Sequence, residues 1–107
     1  MQGEEISNGR EDISVLIVND EPDQLQLMRG LLHKAGYSVL TADDGREGFS
    51  LAKSERPDLV ISDVMMPVVD GFELLRQLRR DDRTKTVPTG VYATRPEAGT
   101  TYRDLRA

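Results

Sequence analysis

The sequence has no cysteine and no tryptophan, and aromatic residues make up only 5% of it. Without cysteine there is no disulfide, no thiolate metal site and no thiol nucleophile. No run approaches the roughly 20 apolar residues of a membrane-spanning helix, and the acidic N-terminus lacks a signal-peptide pattern. These absences predict a cytoplasmic chain with no membrane contact. Clustered positive charge is also missing: the net charge is −5, whereas binding a nucleic-acid backbone needs basic patches. Direct nucleic-acid contact is therefore not expected. The basic turn of Arg76, Arg79 and Arg80 reads as a solvated helix face. The single histidine, His33, lies off the apolar stripe of its helix and reads as a surface residue.

What is present fits one small domain. A chain of 107 residues is long enough for a single core. Its 37% apolar and 31% charged content suits a domain with polar ends. Residues 1–12 are polar and aperiodic and read as a flexible leader. Residues 13–94 carry the patterned domain, and residues 95–107 read as an irregular tail. Within the domain, apolar β-branched runs alternate with segments of helical period. Ile13 to Val18 is a buried strand. Leu25, Met28, Leu32 and Ala35 then recur at helical spacing, with Pro22 in the first turn and Gly36 as the stop.

Tyr37 to Thr41 reads as a second strand. Asp44 with Glu47 marks the start of a second helix as a capping box, with Phe49 and Ala52 inward. After Pro57, Leu59 to Ser62 is a third strand. Asp70 with Glu73 opens a third helix, which should bury Phe72, Leu75 and Leu78 with Leu74 flanking. Val91-Tyr92-Ala93 is a weak fourth strand, further weakened by Gly90. Strand and helix in this alternation predict a doubly wound parallel sheet with helices on both faces. Ligands of such sheets bind at the carboxyl ends of the strands, where the winding reverses.

Two acidic clusters fall at such ends: Asn19-Asp20-Glu21 after the first strand and Asp63 after the third. A lone aspartate closing a strand is usually a surface acid. Two clusters at adjacent strand ends are different, because converging carboxylates repel unless a cation joins them. Mg²⁺ suits them, since it takes one or two carboxylates, waters and phosphate oxygens. One carboxylate could then act as the nucleophile of an aspartyl-phosphate. Met65 and Met66 are not side-chain ligands for so hard an ion. A phosphohydrolase with an aspartate nucleophile is disfavoured, because Met65 stands where its general acid would be. Nucleotide or flavin binding is disfavoured because acids replace a Gly-rich turn after the first strand.

Leu16-Ile17-Val18-Asn19-Asp20-Glu21-Pro22, with Asp63-Val64-Met65-Met66-Pro67-Val68-Val69-Asp70-Gly71, resembles the receiver domain of two-component response regulators. The resemblance covers about residues 13 to 92. It implies a flavodoxin-like three-layer fold with strand order 2-1-3-4 and an aspartate phosphorylated by a sensor histidine kinase or phosphotransfer protein, acting on a downstream effector protein. By the same resemblance Asp63 is the phosphoacceptor. Asp20, Asp63 and the backbone carbonyl of Met65 are the ligands of Mg²⁺, and Asn19 holds a metal-bound water. Asn19 departs from the family, which mostly has an acid there. Ala93 stands where the family's phosphoryl-contacting hydroxyl belongs, which leaves Thr94 as the candidate. The family's fifth strand, last helix and active-site lysine have no counterpart in the pattern, because Lys85 is the final lysine. The fourth strand is then expected to be an open edge, suited to homodimer pairing. A receiver-derived interaction module that works without phosphorylation is the alternative reading.

Overall fold

A computed structural model of the chain describes residues 13–93 and the strand 101–104. The leader 1–12, Thr94 and the rest of the tail lie outside the described residues. The first strand, β1 (Ser14–Val18), reads Ser-Val-Leu-Ile-Val, and every residue after Ser14 is buried. Its continuous apolar run is what a strand covered on both faces requires. It pairs in parallel with β2 (Ser38–Ala42) and with β3 (Leu59–Asp63), and β3 pairs in parallel with β4 (Thr89–Ala93). The order 2-1-3-4 is the one expected, and the winding reverses between β1 and β3. Three helices connect the strands: α1 (Pro22–Lys34), α2 (Gly45–Glu55) and α3 (Gly71–Arg80).

The core lies between the sheet and α2 with α3. Leu16, Val18, Ala42 and Val60 meet Ala52, Leu74, Leu78, Met66 and Val69 there. By strand alternation Val15, Ile17, Leu59 and Ile61 point to the opposite face, where only α1 lies among the described helices. That face is less covered. Val15 and Ile17 are buried, but Leu59 and Ile61 are only half-buried. Leu25, Met28 and Leu32 form the predicted inward stripe of α1, also half-buried, and no residue of α1 is fully buried.

Three expectations need correction. First, Leu74 is at the centre of the core, 0% exposed, and Phe72 is the half-buried flank. Second, the capping boxes are incomplete. Asp44 and Asp70 each accept the predicted bond, from Glu47 N and Glu73 N at 2.8 Å. Glu73 does not reach back but binds Arg76, with Oε1 2.7 Å from a guanidinium nitrogen, and Glu47 accepts from Asp43 N instead of Asp44 N. Third, the tail is not wholly irregular. Thr101–Asp104 form a fifth strand, β5, antiparallel to β4, with Tyr92 opposite Tyr102 and Ala93 opposite Thr101. The β4 edge expected to be open is therefore paired within the chain. The ladder needs only backbone donors and acceptors, so a polar Thr-Tyr-Arg-Asp segment can close an edge without any apolar pattern. No fifth parallel strand occurs among the described residues.

Candidate functional site

The site is built on the carboxyl ends of β1, β3 and β4. Asp63 is the last residue of β3 and is 5% exposed. Its Oδ1 accepts a hydrogen bond from the Met65 N–H at 3.3 Å. Beyond it the backbone doubles back. Val64 N donates to the Tyr92 carbonyl at 2.7 Å, and the Val64 carbonyl accepts from Met66 N at 3.1 Å and Gly71 N at 3.0 Å. The Pro67 carbonyl accepts from Val69 N at 2.7 Å, closing a γ-turn over Val68, whose φ is 68°. This folding brings the start of α3 against the phosphoacceptor candidate. A Cβ on Gly71 would lie 2.5 Å from the Asp63 carbonyl oxygen and 2.9 Å from Val91 Cγ1. Only glycine fits there, which gives the Asp70-Gly71 pair a physical reason beyond helix capping.

Asn19 follows β1 directly and is fully buried. The register Val18↔Ser62 sets its strand end beside that of Asp63. Its backbone N–H donates to the Ala42 carbonyl at 3.1 Å. Its amide is engaged on both sides: Oδ1 accepts from Glu21 N at 2.8 Å, while Nδ2 donates to Tyr92 Oη at 2.8 Å and Gln24 Oε1 at 3.1 Å. The Tyr92 hydroxyl in turn donates to Met28 Sδ at 3.1 Å. Tyr92 lies opposite Asp63 in the β3–β4 register and is 6% exposed. Burial pushes its phenol up to about 12; the Asn19 hydrogen bond opposes this, and the charge of Asp63 adds to it. The hydroxyl is therefore neutral throughout the physiological range.

The structure thus brings Asn19, Asp63 and Tyr92 together, with Asp20 exposed in the turn at their mouth. Sequence reading placed the first two and missed Tyr92, which reads locally as packing. The available signal was a polar-tipped aromatic in a short strand, together with an amide among the acids. Ala93 ends β4 half-buried, and Thr94 lies outside the described residues. The donors on offer to a cation are hard oxygens: the carboxylates of Asp20 and Asp63, and the Met65 carbonyl, which accepts no hydrogen bond among the described residues. These fit a small hard ion that keeps several waters, which is the coordination habit of Mg²⁺. Among the described residues no group of three or more acids or imidazoles gathers at one point; at this site the neutral Asn19 amide stands among the acids.

Comparison with known proteins places this geometry. Residues 15–103 match the response regulator receiver domain model. PilH of Pseudomonas aeruginosa is 37% identical over 83 residues, which cover 78% of this chain and 69% of PilH. The chain spans only 28% and 31% of two longer curated relatives. Among solved structures, the chemotaxis protein CheY4 of Vibrio cholerae superposes with a TM-score of 0.69 at 39% identity, covering 80% of this chain and 73% of that one. The receiver domain of a sensor histidine kinase from Pseudomonas aeruginosa PAO1 superposes with a TM-score of 0.69 at 28% identity, covering 72% and 63%. That domain has a magnesium ion coordinated in its active-site cleft. A match over most of the length, on a sheet wound in the same order, leaves one reading of descent: the chain belongs to the response regulator receiver domain family, the signalling domains of two-component systems.

Proposed function

We propose that this chain is cytoplasmic and accepts a phosphoryl group on Asp63 from the phosphohistidine of a sensor histidine kinase or phosphotransfer protein, and signals to a downstream effector protein. The observation that carries the reading is a carboxylate buried at the end of the central strand, at the point where the sheet reverses its winding. A carboxylate in that position is costly unless its charge is used. In the transfer, one Asp63 oxygen attacks phosphorus and the phosphorus–nitrogen bond breaks. Its electron pair returns to the imidazole, which takes up a proton, and an acyl phosphate forms on Asp63. Asp20, Asp63 and the Met65 carbonyl would hold Mg²⁺, with Asn19 contributing through a water on its remaining oxygen lone pair. The bound ion would neutralise charge on the transferring group. Thr94 is proposed as the hydroxyl that contacts the phosphoryl oxygens. The Gly71 contact and the 64–69 backbone bonds fix where Asp63 stands before any donor arrives.

The test is intact mass after incubation with Mg²⁺ and a small acyl-phosphate donor. A single Mg²⁺-dependent phosphoryl adduct, absent from Asp63→Asn, is the expected result. One observation favours a second reading, an interaction module that works without phosphorylation. The neutral amide of Asn19 leaves two carboxylates at the site. Folded protein that forms no adduct, yet still binds its partner as Asp63→Ala, would establish that reading and sink the first.

A further inference from the structure

The phosphoacceptor reading makes no use of Tyr92, yet the hydroxyl of that residue is a buried polar group bonded on two sides beneath the site. It sits 2.8 Å from Asn19 Nδ2 and 3.1 Å from Met28 Sδ. The sense of the chain of bonds is fixed by its first member. The Glu21 N–H can only donate, so Asn19 turns Oδ1 toward it, and the Asn19 N–H groups face Tyr92 and Gln24. Tyr92 accepts from Asn19 and passes its own hydrogen to sulfur. β1 and β4 are not neighbours, because β3 lies between them. The phenol therefore reaches from the position opposite Asp63, past β3, to the end of β1. A phenylalanine would fill the same volume and make no such link.

The link bears on Asp20. The bond from Glu21 N to Asn19 Oδ1 closes an Asx turn with Asp20 at its centre. The Asn19 amide plane is the anchor of that turn, and its far side is held by Tyr92 and Gln24. We infer that Tyr92 is a positioning residue for the cation site: through the Asn19 amide it fixes the turn that carries Asp20 at the mouth of the site. The inference rests on the proposal that Asp20 and Asp63 hold a divalent cation, and it does not depend on phosphoryl transfer. A tyrosine that only filled space would affect stability when changed and leave cation affinity alone.

The experiment is a Mg²⁺ titration of the full chain, followed by the backbone amide resonances of Asp20, Glu21 and Met65. It compares wild type, Tyr92→Phe, Asn19→Ala and the double variant, with the dispersion of the remaining amides reporting the fold. Loss of one neutral hydrogen bond predicts a Mg²⁺ Kd raised about three- to tenfold in Tyr92→Phe. Asn19→Ala should weaken binding at least as much, and Tyr92→Phe should add nothing in that background, since it acts through Asn19. Equal affinity in wild type and Tyr92→Phe overturns the inference. So does a Tyr92→Phe effect that is the same with or without Asn19, and so does wild type that binds no Mg²⁺. Wild type that binds Mg²⁺ with this dependence but takes no phosphoryl group leaves the inference standing and ends the phosphoacceptor reading.

Discussion

Val68 holds a backbone conformation its side chain resists. Its φ of 68° is a region that β-branched residues avoid, at a cost of about 1–3 kcal/mol. Its side chain recovers nothing, being 90% exposed. The γ-turn closed by Val69 N and the Pro67 carbonyl imposes the strain, because it folds the loop back so that α3 can start beside Asp63. Val68→Gly removes the Cβ that causes it. After allowance for the freedom glycine gains when unfolded, the variant is expected to be more stable by about 1 kcal/mol, measured by urea denaturation. A loss of stability would show that the turn is not strained. At this scale the sequence was legible where chemistry follows chain order: Asn19 directly follows an apolar run, and Asp63 follows one across a single serine, Ser62. Tyr92 was not, because its partner Asn19 is 73 residues away. No local period reports a contact made across an intervening strand.

Among the elements, α3 decides the geometry of the site. Its start is set by Asp70, whose side chain accepts from Glu73 N, and its closeness to β3 by Gly71. Alanine at 71 would need room where the Asp63 carbonyl oxygen already lies 2.5 Å from the added carbon. Gly71→Ala is therefore expected to destabilise by about 1–3 kcal/mol, as overpacking does, and to shift the Met65 and Asp63 amide resonances. Unchanged stability and spectra would mean that the contact is loose. The same contact explains why the rotation of the helix was misread. Apolar residues at 72, 74, 75 and 78 allow two inward faces by spacing alone. With Gly71 pressed on β3, Leu74 and Leu78 turn fully inward and Phe72 is carried to the flank. Arg79 then fastens the far end, donating to the Lys85 and Val87 carbonyls at 3.2 and 2.9 Å. The buried Thr84 hydroxyl donates to the Leu78 carbonyl at 2.8 Å.

For the whole molecule, the strand order was readable because alternating strand and helix patterns leave few ways to wind. The edge was not. β5 is held by ladder bonds to β4 and has no apolar alternation to announce it. Successive residues of a strand point their N–H groups to opposite sides, so one of Tyr102 and Arg103 must donate toward β4. Replacing both with proline removes that donor whichever it is. The double variant is expected to uncover β4 and to associate with rising concentration, as seen by light scattering. If it stays monomeric, β4 is protected by something other than β5.

The uneven cover of the two sheet faces has a consequence for how the molecule comes apart. β1 is sealed, while α1, joined to it by the turn at Asn19, has no fully buried residue and exposes Leu27 and Leu31 by 63% and 60%. Helices so lightly anchored open in local fluctuations far below the free energy of global unfolding. α1 is thus the least anchored of the described helices, and its opening breaks the Met28 bond to Tyr92 and the Gln24 bond to Asn19 while leaving the sheet ladder intact. Such opening would be felt at the mouth of the site through the turn bearing Asp20 and at its floor through the Asn19 and Tyr92 bonds that end on α1.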